Sequence, residues 1–144
     1  MIHLEENLNR IKDFNELYDA VGWEHYSEEI VKKSLKNTFY SVSVYDDAKI
    51  IGYGRIIGDT ICFLYIQDIM VIPDYQNQKI GTTILKKLLE KVKEIQKENP
   101  DVRVYLGDSK GKEGFYKKFG FITREDAGLG SGMILKEEKN ENIW

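Results

Sequence analysis

Apolar residues recur at helical spacing early in the chain. Ile11, Phe14, Leu17, Tyr18 and Val21 share one face and predict a helix over residues 9–21, broken by Gly22 and Trp23. Ser27 reads as the N-cap of a second helix, residues 28–35, with Glu28 and Glu29 at the positive end of its dipole. The period then changes to two. Residues 39–45 and 49–57 predict a hairpin turning at Asp46-Asp47, and Gly58-Asp59 turns the chain into another strand from Ile61. In that strand Phe63, Tyr65, Ile69 and Val71 alternate with Leu64, Ile66, Met70 and Ile72. Both faces are apolar, so the strand is expected in the middle of a sheet. Pro73 ends it, having no N–H to give to the ladder. A long helix follows, with Ile84, Leu85, Leu88, Leu89, Val92 and Ile95 on its apolar face and Pro100 marking its end. Residues 102–106 predict a strand and the residues around Tyr116 a short helix. Residues 121–136 are expected to hold the last strands, broken near Gly128-Leu129-Gly130.

A strand running through a tight polar loop into a helix is a way of holding phosphate. Free backbone N–H groups and the positive end of the helix dipole converge on one point there. The loop here is Gln76-Asn77-Gln78-Lys79-Ile80-Gly81, leading into Thr82 and Thr83. In this context V-x-P-x-Y-Q-x-Q-x-I-G-x-x-I-L resembles the acetyl-coenzyme A motif of the GNAT N-acetyltransferase superfamily, Q/R-x-x-G-x-G/A. Gln76 and Gly81 fill its first and last positions, and Lys79 stands where the middle glycine is usual. A lysine there is expected to keep a negative φ, with its ammonium either near the phosphates or solvated.

The block Gly114-Phe115-Tyr116-Lys117-Lys118-Phe119-Gly120-Phe121 resembles the superfamily's late signature, a short helix ending in Y-x-K-x-G-F before a strand. Gly120 suits the left-handed position that ends such a helix, and Phe121 is expected to begin a strand. The family's asparagine ahead of the tyrosine is absent, and Ser109 stands nearest to it. The resemblance covers about residues 41–121. It implies a mixed, mostly antiparallel central sheet flanked by helices and splayed at the cofactor-binding strands. A short first strand near residues 2–4, usual in the family, is barely visible in the pattern.

Composition narrows the class. The chain's 144 residues suffice for one core, so residues 1–136 are expected to form a single domain and residues 137–144 a polar tail in which Trp144 could dock. Lys and Arg number 21 against 24 Asp and Glu, a net charge of −3, with no basic excess to suggest a nucleic-acid partner. Cys62 is the single cysteine and is expected to pack within the apolar strand. The N-terminus lacks the apolar run of a signal peptide, and no stretch is long and apolar enough to span a membrane. A cytoplasmic protein with no membrane partner is expected.

The resemblance implies transfer of an acetyl group from acetyl-coenzyme A to a primary amine of a small molecule or peptide, without a metal. The alternative is an acyl-coenzyme A-binding module with degenerate catalysis. The implied cofactor contacts are the strand edge Ile69, Met70, Val71 and Ile72, the loop Gln76, Asn77, Gln78, Lys79, Ile80, Gly81, Thr82 and Thr83, and Ser109. Tyr116 matches the tyrosine that protonates the departing thiolate. Tyr65 and Gln67 hold the positions where many relatives place a Glu or His base, and neither is a ready base at neutral pH. Asp68 is the one carboxylate on the strand. It is open to two readings: binding or deprotonating the amine, or a structural pairing such as one with Arg55. Asp19, Glu24, Glu28 and Glu29 form a run without a basic residue, either a rim that attracts cationic acceptors or a solvated helix face. Trp23, His25 and Tyr26 could wall the acceptor side. A homodimer through exposed final strands is a further implication.

Overall fold

The β-rich part of the chain begins with a strand that the sequence barely announces. In a computed structural model, which describes residues 1–24 and 26–136, β1 (Ile2–Glu6) pairs antiparallel with β2 (Tyr40–Asp46). β2 turns at Asp47 into β3 (Lys49–Ile57), and β3 pairs antiparallel with β4 (Phe63–Val71). β5 (Arg103–Leu106) completes a five-stranded sheet of order β1-β2-β3-β4-β5. Arg103 N–H donates to Cys62 O at 2.9 Å, and the rings of Tyr65 and Tyr105 stack 5.3 Å apart. β4 and β5 therefore start together and run the same way.

Helices α1 (Ile11–Ala20) and α2 (Glu28–Leu35) lie on one face of the sheet, and α3 (Ile80–Glu98) lies on the other. Ser27 caps α2 as expected, its Oγ accepting from Ile30 N–H at 3.4 Å. The core is formed by Leu17 and Val31 under one face, Ile84, Leu85 and Leu88 under the other, and Val42, Ile51, Ile56, Leu64 and Met70 in the sheet between. Close packing of α3 depends on Gly54. A Cβ there would stand 2.7 Å from Ile84 Cγ2 and 3.1 Å from Leu88 Cδ1, closer than van der Waals contact allows.

The contacts divide the chain into two compact units, the first being Met1–Tyr105. The second begins at Leu106 and holds α4 (Glu113–Lys117), which ends with Gly120 at a φ of 93°. This is the left-handed residue expected there.

Two expectations are corrected, and the central place expected for β4 is met with one face less buried than its sequence suggests. Residues 121–136 form no strand. Their donors close turns instead: Gly128 N–H bonds Glu125 O, Leu129 N–H bonds Arg124 O, and Arg124 Nε–H bonds Gly130 O. The strand-pairing route to a homodimer therefore has no strand to use among the described residues. Cys62 is exposed and precedes the strand, because the Asp59 carboxylate collects the N–H groups of Ile61, Cys62 and Phe63. β4 has a neighbour on each side, yet the first half of the strand buries only one face. Leu64 and Ile66 are buried, while the rings of Phe63 and Tyr65 are exposed and lean on each other and on Tyr105. The expected tail at residues 137–144, its Trp144, and His25 lie outside the described residues.

Candidate active site

Between Tyr53 and Arg55 the β3–β4 register slips. Tyr53 faces Met70 and Arg55 faces Gln67, so three steps along β4 match two along β3. β4 thus carries one extra residue, a β-bulge. Asp68 sits in it at a φ of 57°, a left-handed conformation that costs an L-residue roughly 1–2 kcal/mol. β5 ends at Leu106, so the edge of β4 from Gln67 to Val71 has no strand beside it among the described residues. Main-chain groups alternate along this edge. Ile72 N–H, expected to face the cofactor, turns instead to Ile51 O at 3.0 Å, and Met70 faces β3 in the same way. Ile69 and Val71, both half-buried, therefore present the outward groups.

The bulge is pinned from the helical side. Arg55 Nε–H donates to Asp68 Oδ2 at 2.8 Å, and Tyr18 O–H donates to Oδ1 at 3.1 Å. The remaining guanidinium donors reach Thr38 Oγ1 at 3.0 Å, Ser34 O at 3.3 Å and Ser34 Oγ at 3.1 Å. Arg55 and Asp68 side chains are only 10% and 11% exposed, so the pair is screened little by solvent. Of the two roles open to Asp68, this arrangement has the geometry of the structural pairing with Arg55. Burial, followed by the Asp68 charge, pushes the Tyr18 phenol well above its ordinary range. The Tyr18 ring meets Trp23 edge-on at 5.3 Å and Tyr26 at 6.3 Å, and both of these project into solvent. Glu24, Glu28 and Glu29 are exposed on the same connection and at the start of α2.

Beyond β4, Pro73–Tyr75 make one 3-10 turn and the polar loop leads to α3. Gln76 Nε2–H donates to Val71 O at 3.0 Å and Gln78 Nε2–H to Asp74 O at 3.2 Å, which folds the loop onto the strand end. Asn77 has a φ of 62° and Lys79 a φ of 63°. The negative φ expected at Lys79 is thus overturned. The position needs the left-handed conformation that makes glycine usual there, and the lysine adopts it at a steric cost. Lys79 is the N-cap of α3, makes no capping side-chain bond, and no acidic residue occupies the first turn. The first N–H groups of a helix, here those of Ile80, Gly81 and Thr82, have no acceptor within it. The Thr83 hydroxyl donates back to Lys79 O at 3.0 Å. The result is a positive pole left open to solvent by a 19-residue helix.

In the second unit, Tyr116 is half-buried and its ring meets Phe115 at 5.1 Å and Phe121 at 6.1 Å. Burial, then the Asp108 charge, raises its phenol above the ordinary 10.0. Ser109 lies in the exposed loop before α4, where its carbonyl accepts from Lys112 N–H at 3.0 Å.

The sequence reading brought Asp68 and Arg55 together but missed Tyr18, Ser34 and Thr38. Periodicity places Tyr18 only on an apolar helix face. Its hydroxyl, opposite a lone carboxylate on an apolar strand, was the available signal.

Comparison with known proteins agrees with this fold. A protein of unknown function from meticillin-resistant Staphylococcus aureus, described as a "Probable Acetyltransferase", superposes with a TM-score of 0.83 at 29% identity, over 95% of this chain and 100% of that one. A GNAT-family acetyltransferase of Streptococcus pneumoniae gives a TM-score of 0.77 at 27% identity, over 96% of this chain and 99% of that one. An uncharacterized N-acetyltransferase, ycf52, of Gracilaria tenuistipitata var. liui is 30% identical over 81% of this chain. The chain spans 64% of that relative's length. Residues 6–135 match the family described as acetyltransferase (GNAT) domain, and the chain belongs to that family.

Proposed function

We propose that this chain transfers an acetyl group from acetyl-coenzyme A to a primary amine of a small molecule or peptide. The observation that carries the reading is the pairing of two open main-chain features, the free edge of β4 over residues 67–71 and the uncapped start of α3. Both fit the cosubstrate. Its pyrophosphate is an anion suited to the N–H groups of Gln78, Lys79, Ile80, Gly81 and Thr82, with the Lys79 ammonium in support. Its pantetheine arm carries amides that can pair with the outward main-chain groups of Ile69 and Val71 as an added strand would. Acetyl-coenzyme A supplies an activated thioester. The chain's own part is to hold that thioester, exclude water and manage protons.

Tyr116, carried over from the Y-x-K-x-G-F block, is assigned as the acid that protonates the leaving thiolate. Its raised pKa keeps the phenol protonated, and so able to donate, throughout the neutral range. The exposed carboxylates from Asp19 to Glu29, with the rings of Trp23 and Tyr26 beside them, favour acceptors with positive charge elsewhere in the molecule.

The test is thiol release from acetyl-coenzyme A across a panel of neutral and cationic amines, with Gly81→Val as the binding control. Turnover that favours cationic amines and falls with rising salt is expected, together with loss of acetyl-coenzyme A binding in folded Gly81→Val. Tight binding without turnover on any amine would replace the enzyme reading with that of a binding module. Tyr116→Phe should lower kcat by ~10²–10⁴-fold. It should also remove the alkaline limb, which in the wild type lies above the phenol's ordinary 10.0 because the pKa is raised. Wild-type kcat at every pH would leave Tyr116 a packing residue.

A further inference from the structure

We infer that Tyr18 and Arg55 are positioning residues, which through Asp68 hold the β4 bulge and the α1–α2 connection in one geometry. The inference rests on the proposed function for what that geometry serves, and on the first unit alone for its physical basis.

Asp68 is held at a φ of 57° by its side chain as well as by the ladder. One carboxylate oxygen takes the Arg55 Nε–H at 2.8 Å and the other the Tyr18 hydroxyl at 3.1 Å. Four of the guanidinium's five donors are used, and the three contacts beyond Asp68 end on Ser34 and Thr38, at the C-terminal end of α2 and just after it. Arg55 therefore ties the bulge to the end of α2. Its Cζ also lies 5.6 Å from the centre of the Phe14 ring, and the Phe14 ring meets that of Tyr18, tilted, at 4.7 Å. Tyr18 ties the same carboxylate to the connection between α1 and α2, because Trp23 and Tyr26 rest on its ring.

The bulge decides which β4 groups reach the open edge. Removing the extra residue would turn every side chain past it to the other face. Loss of either pin would loosen the bulge, and with it the open edge, from the side of the α1–α2 connection. Neither Tyr18 nor Arg55 needs to touch either substrate to do this.

Tyr18→Phe is the decisive variant, since it removes one hydroxyl and keeps the ring that packs on Phe14, Trp23 and Tyr26. Two measurements are made on folded protein: amide hydrogen exchange at residues 67–70, and the separate constants for amine and acetyl-coenzyme A. Expected are exchange faster by about 10-fold at the bulge and an amine KM raised by a similar factor, the usual size of a coupling between sites. The acetyl-coenzyme A Kd should move less. Arg55→Lys should fall between wild type and Arg55→Met in both readouts, because a lysine keeps the charge but loses the fork.

Unchanged exchange and unchanged KM in Tyr18→Phe, with only a lower Tm, would overturn the positioning role. A wild type that transfers no acetyl group to any amine bears on the function reading instead. The exchange measurement on the same variants then decides the positioning role by itself.

Discussion

Of the seven non-glycine residues of the first unit with a positive φ, Asp68 and Lys79 are held there by opposite means. At the bulge, Asp68 has a φ of 57° and its carboxylate is gripped by Arg55 and Tyr18. At the start of α3, Lys79 has a φ of 63° and its side chain makes no capping bond. The backbone cost is similar, roughly 1–2 kcal/mol at each. At the bulge the protein itself offsets that cost, through a pair almost sealed from solvent. At the loop nothing in the side chain offsets it, and the N–H groups that follow stay free for an anion. The bulge fixes a shape before any ligand arrives, and the loop keeps its donors in reserve.

The largest break in this comparison comes from Arg55→Met. It strands a buried carboxylate and should cost about 3–5 kcal/mol of folding stability, the range for removing one partner of a buried ion pair. Urea titration reads it. A loss under about 1 kcal/mol would mean that water reaches Asp68 freely and that the grip is weak.

A smaller break comes from the far side of the sheet. Gly54 lies opposite the bulge, with Ile84, Leu88 and Ile69 all within 3.3 Å of where a Cβ would stand. Gly54→Val should cost about 1–3 kcal/mol through overpacking. Because α3 would have to lift, the loss should be accompanied by weaker acetyl-coenzyme A binding. Stability lost with binding intact would separate the packing of α3 from the setting of its N-terminus.

The sequence made these two places legible to different degrees, for physical reasons. Periodicity gave the helices and the β2–β3 hairpin because burial repeats along an element. Gln76 and Gly81 located the loop because the strand before and the helix after it are long and regular. The bulge was not visible, since one extra residue leaves an apolar run apolar. Its single trace was Asp68, an acid where an acid is costly. The conformation of Lys79 was misread because the residue that normally advertises it, a glycine, is missing. The strands expected over residues 121–136 fail where Gly128, Gly130 and Gly132 interrupt a short apolar pattern, and local turns take the backbone donors instead.

The smallest effect is the most discriminating, because the same substitution should have opposite signs at the two places. Glycine adopts the left-handed region without a Cβ penalty but loses more entropy on folding. In Lys79→Gly the side chain gives up no cap, so the relief of roughly 1–2 kcal/mol is only partly offset by an entropy cost of about 0.4–1 kcal/mol. The protein should gain between about 0 and 1.6 kcal/mol. In Asp68→Gly the same backbone relief comes with the loss of both oxygens that hold Arg55 and Tyr18. A buried guanidinium is left without its counter-charge, and the variant should be clearly destabilised. Acetyl-coenzyme A binding adds a second reading at the loop. Removing the ammonium of Lys79 should flatten the salt dependence of the affinity, because one charge no longer meets the phosphates. If Lys79→Gly instead lost stability, its side chain would be holding the loop after all, and the contrast between a gripped bulge and an open helix start would fail.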